Sequence, residues 1–68
     1  MIITLTELAK ITGVSYTTLQ IFADRYGLLE DKGVQRVDFN QHFRNKFKEF
    51  VKNRKCASTP MLRLGGLL

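Results

Sequence analysis

The 68-residue sequence lacks the means by which many small proteins are cross-linked. Cys56 is its one cysteine, so it forms no internal disulfide, and a reducing compartment is the simplest interpretation. His42 is its one histidine and has no cysteine at a metal-ligand spacing, so no metal site is expected. The carboxylates are scattered, and no nucleophile stands with a base. The sequence therefore predicts neither an enzyme nor a cofactor.

Long apolar runs are also absent. No stretch approaches the roughly 18 apolar residues that a membrane-spanning helix needs. The start, MIITLTELAK, lacks the basic residues and apolar run of a secretory signal. We therefore expect a cytoplasmic protein of one domain, with no membrane partner. The core of a chain this short rarely supplies more than about 3–5 kcal/mol of stability.

Acidic residues are few. Six Asp and Glu stand against eleven Lys and Arg, which gives a net charge of +5 and a pI near 9.8. Such a balance favours nucleic acid or another anionic surface as the partner.

Caps and glycines divide the first half of the chain into short elements. The β-branched residues at 2–4 predict a short strand or an extended lead-in, and Thr4 is predicted to cap a first helix that ends at Gly13. Ser15 is predicted to cap a second helix that ends at Gly27. The residues expected to face inward are Leu5, Leu8, Ala9 and Ile11 in the first helix, and Leu19, Phe22, Ala23 and Tyr26 in the second.

Two further elements are predicted in the second half. Asp31-Lys32-Gly33 is a turn signal between Leu28-Leu29 and the apolar Val34 and Val37, which predicts a short β-hairpin. Residues 40–54 have the clearest helical period, with Asp38 or Asn40 as the cap. The apolar stripe expected in the core is Phe39, Phe43, Phe47, Phe50 and Val51.

A second stripe of the predicted third helix is basic and consists of Arg44, Lys48, Lys52 and Lys55. It is consistent with a solvated helix face, with a phosphate-contacting surface or with a helix that lies on a membrane. Pro60 ends any continuing helix. Beyond it, the tail is interpreted either as a frayed end or as a self-association segment that uses Leu62, Leu64, Leu67 and Leu68.

The spacing of Ala9, Gly13, Val14, Leu19 and Phe22 is typical of a helix-turn-helix, although Thr12 stands where an apolar residue is usual. A plain helical hairpin is the alternative. In a helix-turn-helix, the outward face at the start of the second helix reads base edges in the major groove. Here that face consists of Ser15, Tyr16, Thr17, Gln20, Ile21 and Asp24.

These side chains suit the task. Gln20 is able to form two hydrogen bonds with adenine, and Thr17 to bond a base or touch a thymine methyl group. Ser15 and Tyr16 are expected to reach phosphate, which the free amides at the helix start also attract.

The segment LTELAKITGVSYTTLQIFADRYGLL resembles the start of the MerR-type winged helix-turn-helix domain. Phe22 stands where that family has tyrosine, and Arg36, after Gly33, matches the arginine of the family's β-hairpin wing. The resemblance covers roughly residues 3–51. The matching residues are Leu8, Ala9, Gly13, Val14, Ser15, Thr18, Leu19, Gly27, Leu28 and Leu29.

The resemblance implies a mostly α winged helix-turn-helix domain with a small β-hairpin over residues 1–55, followed by a tail over 56–68. It implies sequence-specific binding of double-stranded DNA, with the second helix in the major groove and the wing and basic helix on the backbone. The residues expected to contact DNA are Ser15, Tyr16, Thr17, Thr18, Gln20, Ile21, Asp24, Arg25, Lys32, Arg36, Arg44, Lys48, Lys52 and Lys55.

The chain ends before the dimerisation helix and effector domain of full-length MerR regulators, so no small-molecule ligand is expected. It is most similar to short phage and plasmid members, namely excisionases and small regulators, which act as homodimers or cooperative arrays on DNA. An integrase or a polymerase is a candidate partner. The alternatives are a terminase small subunit that initiates DNA packaging, and a protein-interaction module that uses the Phe-rich helix and the leucine tail.

Overall fold

The computed structural model describes residues 1–31 and 33–68, and within these ranges the chain is mostly helical with a small antiparallel sheet, as predicted. Lys32, predicted at the hairpin turn, lies outside the described residues. No helix in these ranges has the length and apolar character needed to cross a membrane. The elements in chain order are β1 (Ile2–Thr4), α1 (Leu5–Thr12), α2 (Tyr16–Tyr26), β2 (Leu29–Asp31), β3 (Arg36–Asp38), α3 (Gln41–Lys52) and α4 (Thr59–Leu64).

The sheet contains the predicted hairpin and one more strand. β2 and β3 pair antiparallel, and β1 pairs with the other edge of β3, so the order is β1-β3-β2. Val37, on the central strand, lies opposite Ile3 on one side and Leu29 on the other, and it is fully buried. Val34 was expected to belong to the hairpin strands, but it lies in the turn and is exposed, because β3 begins only at Arg36.

Side-chain caps fix where the first three helices begin. Thr4 accepts a hydrogen bond from the Glu7 amide through its hydroxyl oxygen, at 3.2 Å. The Asn40 side chain accepts from the Phe43 amide at 2.9 Å, so Asn40 and not Asp38 caps α3. Each cap satisfies an amide that has no acceptor within its helix, which stabilises a helix by about 1 kcal/mol.

Phe22 of α2 lies at the centre of the core. Its ring centroid is 5.0 Å from that of Tyr26, 5.1 Å from Phe43, 4.9 Å from Phe47 and 5.3 Å from Phe50. The Phe43 and Phe47 rings meet Phe22 edge-on, a favourable geometry for aromatic pairs. The aromatic stripe of α3 therefore packs around one side chain of α2.

Two expectations about the helices were wrong in detail. Ile11 was expected to face inward but is 64% exposed, because the inward side of α1 continues from Leu8 to Thr12. α3 ends at Lys52, so Lys55 lies in the following loop and outside the basic stripe of the helix. Phe39 lies just before α3 and packs against the core while half-buried.

Part of the predicted tail belongs to the core. Pro60 stands in the first turn of α4, where its missing amide hydrogen costs nothing, and Met61 and Leu64 are buried. α4 contacts α1 and α3 of the same chain. At its end Gly65 comes so close to α3 that a β-carbon there would lie 3.3 Å from the Lys48 Cα. Leu64 therefore packs within its own chain, whereas Leu68 is exposed.

Replacement of Phe22 tests the aromatic core. We expect Phe22→Ala to cost about 3–5 kcal/mol, which is comparable to the whole stability of so small a domain. Phe22→Leu, which keeps most of the volume, should cost about 1–2 kcal/mol and leave a folded protein. Urea unfolding followed by circular dichroism measures both. The control Ile11→Ala, on an exposed side chain, should stay within about 0.5 kcal/mol of the parent; equal losses for Ile11 and Phe22 would contradict this description of the core.

Candidate nucleic-acid interface

A turn over residues 13–15 joins α1 to α2. Gly13 has a φ of 76°, a left-handed conformation that other residues adopt at a cost, and its amide donates to the Ala9 carbonyl at 2.9 Å. Val14 is 2% exposed, and Ser15 then caps α2 by accepting from the Thr18 amide. The turn thus ends one helix, anchors itself in the core and starts the next helix within three residues.

Thr12 has a specific role in this turn. Its hydroxyl donates to the Leu8 carbonyl at 2.7 Å and accepts from the Val14 amide at 3.2 Å. An apolar residue, which is usual at this position, would leave the Val14 amide without this acceptor. The departure from the helix-turn-helix pattern therefore has a local explanation.

The outer face of α2 is uncovered. Leu19, Phe22 and Ala23 are fully buried on the inner face. Gln20 and Thr18 are half-buried at its margins. The exposed residues of the outer face and its cap are Ser15, Tyr16, Thr17, Ile21, Asp24 and Arg25. The structure thus brings together the residues predicted on the second helix and exposes all of them except the half-buried Thr18 and Gln20.

The hairpin lies beside this face of α2. The Tyr16 hydroxyl donates to the side-chain oxygen of Gln35 at 2.7 Å. Between the two elements is a cleft of about 260 Å³, lined by Gln20, Ile21, Asp24, Leu29 and Gln35. Its walls combine two amides and a carboxylate with two apolar side chains, a mixture suited to the edge of a base with its hydrogen-bonding groups and a methyl group.

Gln35 is the residue that the sequence analysis missed. Its φ is 60°, and among the described residues it is the one non-glycine with a positive φ. Its carbonyl also accepts from the Leu5 amide at 3.0 Å, at the start of α1. No residue pattern marked it, because glutamine is not among the residues typical of left-handed turns.

Asp31 holds the hairpin turn in place. Its Oδ1 accepts from the amides of Gly33 and Val34 at 3.0 and 3.3 Å, and its Oδ2 lies 3.8 Å from the Arg36 guanidinium. Asp31 and Arg36 are both roughly half-exposed, so this ion pair contributes little to stability. Arg36, the predicted wing arginine, is the first residue of β3, and its side chain is exposed.

Positive charge is concentrated away from α2. Residues 41–68 contain seven of the eleven Lys and Arg and only one of the six Asp and Glu, Glu49. These basic residues are Arg44, Lys46, Lys48, Lys52, Arg54, Lys55 and Arg63. The outer face of α2, with Asp24 and Arg25, is nearly neutral by comparison. Long-range attraction of an anion therefore comes from α3, the loop after it and α4.

The predicted basic stripe of α3 is exposed along Arg44, Lys48 and Lys52. Within residues 1–31 and 33–68 these three side chains form no ion pair. They are therefore available to neutralise phosphate, which Lys46, 3.8 Å from Glu49, is less free to do.

Two arginines, Arg25 of α2 and Arg54 of the loop after α3, contact the ring of Phe50 near the end of α3. The guanidinium of Arg25 lies 5.7 Å from the centroid of the Phe50 ring, and that of Arg54 lies 5.1 Å from the same centroid. Both distances suit cation–π contacts. Arg25, at the end of α2, thus stands next to the strongly basic segment.

Comparison with protein-family models, curated proteins and solved structures finds no match for this chain. The function of this chain is therefore inferred from its geometry and its charge.

Replacement of Thr12 tests the turn. Thr12→Val adds apolar character, yet we expect it to destabilise the protein by about 1 kcal/mol, because the Val14 amide loses its acceptor. Thr12→Ser keeps the hydroxyl and serves as the matched control. Thermal unfolding should give Thr12→Val a lower melting temperature than Thr12→Ser. A higher melting temperature for Thr12→Val would show that the hydroxyl has no role in the turn.

Proposed function

We propose that this protein binds double-stranded DNA with sequence specificity, as a winged helix-turn-helix domain of the MerR type. α2 enters the major groove, while the hairpin and α3 contact the backbone. The observation that carries the proposal is the uncovered polar face of α2, which begins at a tightly built helix-helix turn and has a hairpin at its side. A plain helical hairpin would also expose the outer face of α2, but it would not need a β-hairpin beside that face.

Three side chains of α2 have the chemistry for base reading. Gln20 is able to form two hydrogen bonds with adenine, and it lines the cleft beside the hairpin. Thr17 is exposed one turn before Ile21, and both have methyl groups that suit the thymine methyl. These contacts supply discrimination between sequences and little net attraction.

Tyr16 has a different role from the phosphate contact expected of it. Its hydroxyl hydrogen is donated to Gln35. The amides of Tyr16 and Thr17, at the first turn of α2, have no acceptor within the helix and are positioned for a phosphate. The Ser15 hydroxyl likewise donates its hydrogen to the Thr18 hydroxyl oxygen at 2.9 Å. Backbone recognition at this end of α2 is therefore assigned to the two amides.

Attraction to the duplex is assigned to α3 and its surroundings. Arg44, Lys48 and Lys52 are exposed, and Lys55 and Arg54 follow in the next loop. Such contacts are independent of sequence and weaken as salt increases, since each neutralised phosphate releases counterions. Arg36 adds a contact from the hairpin.

The protein-interaction alternative receives less support. Phe43, Phe47 and Phe50 are at most 1% exposed, and Leu64 is also buried, so the apolar face of the Phe-rich helix and part of the tail are occupied by the chain's own core. Leu67 and Leu68 remain exposed. Among DNA-binding roles, bending of the selected duplex would favour an excisionase-like protein over a simple regulator or a packaging subunit.

Replacement of Gln20 tests base reading. We expect Gln20→Ala to cost about 1–3 kcal/mol in binding to a selected duplex and to relax the preference at one base pair. Selection from random duplexes, followed by gel-shift titration, measures both effects. The matched control is Gln41→Ala, an exposed glutamine on α3, which should leave the preference unchanged. An unaltered preference in Gln20→Ala would contradict the placement of α2 in the major groove.

Replacement of Lys48 tests the backbone contact. Lys48→Ala should weaken binding to all duplexes alike and lower the slope of log affinity against log salt by about 1. The measurement is affinity at several salt concentrations for a selected and a random duplex. Lys10→Ala, an exposed lysine on α1, is the control and should keep the parent slope. If Lys48→Ala has the same slope of log affinity against log salt as the parent, Lys48 of α3 does not contact the DNA backbone.

A further inference from the structure

Gln35 has a backbone conformation that is costly for its residue type. Its φ of 60° lies in the left-handed region, which costs an L-residue other than glycine about 1–2 kcal/mol. Asparagine and glycine are the usual residues at such positions. A strained residue that persists at the margin of a candidate site points to a role for its side chain.

Two hydrogen bonds tie the hairpin turn at Gln35 to two helices, α1 and α2. Its carbonyl accepts from the Leu5 amide at 3.0 Å, which ties the turn to the start of α1. Its side-chain oxygen accepts from the Tyr16 hydroxyl at 2.7 Å, which ties the turn to the start of α2. The side chain thus has a defined position relative to α2.

The Tyr16 contact also determines what Gln35 offers to a ligand. With the amide oxygen engaged, the remaining polar group of the side chain is the NH2, a donor of hydrogen bonds. Within the described ranges this group has no hydrogen-bond partner, and it is not a buried unsatisfied group. Gln35 therefore presents the donors of its NH2 group at a cleft that it shares with Gln20.

The charge of the cleft selects the kind of acceptor. Asp24 lines the same cleft, and its carboxylate repels phosphate. An uncharged acceptor on a base edge suits the site better, such as N7 or O6 of a purine or O4 of thymine.

We propose that Gln35 contacts a base edge of the duplex, as a donor to an uncharged acceptor, and that Tyr16 is the positioning residue that orients it. This role rests on the DNA-binding function proposed above. The hairpin then contacts a base as well as the DNA backbone, and so contributes to sequence recognition together with α2.

The test uses Gln35→Asn and Tyr16→Phe. Asparagine tolerates the left-handed conformation, but its amide is one methylene shorter and does not reach the Tyr16 hydroxyl. Tyr16→Phe removes the same hydrogen bond from the other side and leaves Gln35 unchanged. Both variants are compared with the parent by binding-site selection, by affinity for the selected duplex and its single-base-pair replacements, and by thermal unfolding.

We expect both variants to bind the selected duplex about tenfold more weakly and to lose the preference at one and the same base pair. Duplexes already replaced at that base pair should be bound within about twofold of the parent. The melting temperature should stay within about 4 °C of the parent in both variants, because the hydrogen bond that each of them loses is exposed to solvent. In Gln35→Asn the lower cost of the left-handed conformation offsets part of that loss.

Three results would overturn the role of Gln35. The first is an unchanged base-pair preference in Gln35→Asn. The second is an equal loss of affinity for every duplex. The third is a loss of affinity accompanied by a large fall in melting temperature, which would mean that the variant is destabilised rather than altered in base contact. The parent protein separates this failure from that of the function itself. If the parent selects no duplex, the proposed function fails; if it selects one and both variants select it equally well, only the role of Gln35 fails.

Discussion

The packing of Phe22 against three phenylalanines of α3 is the contact on which the arrangement depends. One ring of α2 has four aromatic neighbours within 5.3 Å between centroids, and it is fully buried. Leu19 and Ala23 are fully buried on the same face of α2, so that face, with Phe22 as its largest side chain, determines the rotation of the helix about its axis. With Phe22 inward, the opposite side of the helix must face solvent.

Other contacts determine where α2 begins and which elements lie beside its exposed side. The Gly13 turn sets where α2 starts, and α4 packs on α1 and α3, away from the outer face of α2. The hairpin stays beside α2 because β3 is also paired with β1, whose last residue, Thr4, caps α1. The polar surface of α2 is thus left open by the core, and the position of the hairpin is set by the sheet.

Local signals explain how much could be predicted from the sequence. Thr4, Ser15 and the two glycines Gly13 and Gly27 act on their immediate neighbours, so the bounds of α1 and α2 followed directly from residue type. The spacing of the phenylalanines predicted which face of α3 is buried, since helical periodicity is also a local property.

What the sequence did not predict depends on contacts between distant segments. The pairing of Ile3 with Val37 joins strands that have three residues each, too short for an alternating pattern to indicate a partner. Packing of Met61 and Leu64 within the chain's own core requires the position of α3, which no local signal gives. Gln35 was missed for the same reason, because its partners are Tyr16 and Leu5, far from it in sequence.

The separation of charge from the polar face of α2 gives the proposed interface two distinct parts. In this proposal, α3 and the loop after it attract the phosphate backbone, because their basic residues outnumber the one carboxylate of Glu49. This attraction increases with the number of phosphates contacted and is independent of sequence. The cleft beside α2 contains Asp24 and two amides, which gain nothing from proximity to phosphate alone. A carboxylate there penalises any duplex placement in which the backbone enters the cleft, so it favours a placement with base edges opposite Gln20 and Gln35. Discrimination would then arise partly from repulsion, which acts without adding affinity for random sequences.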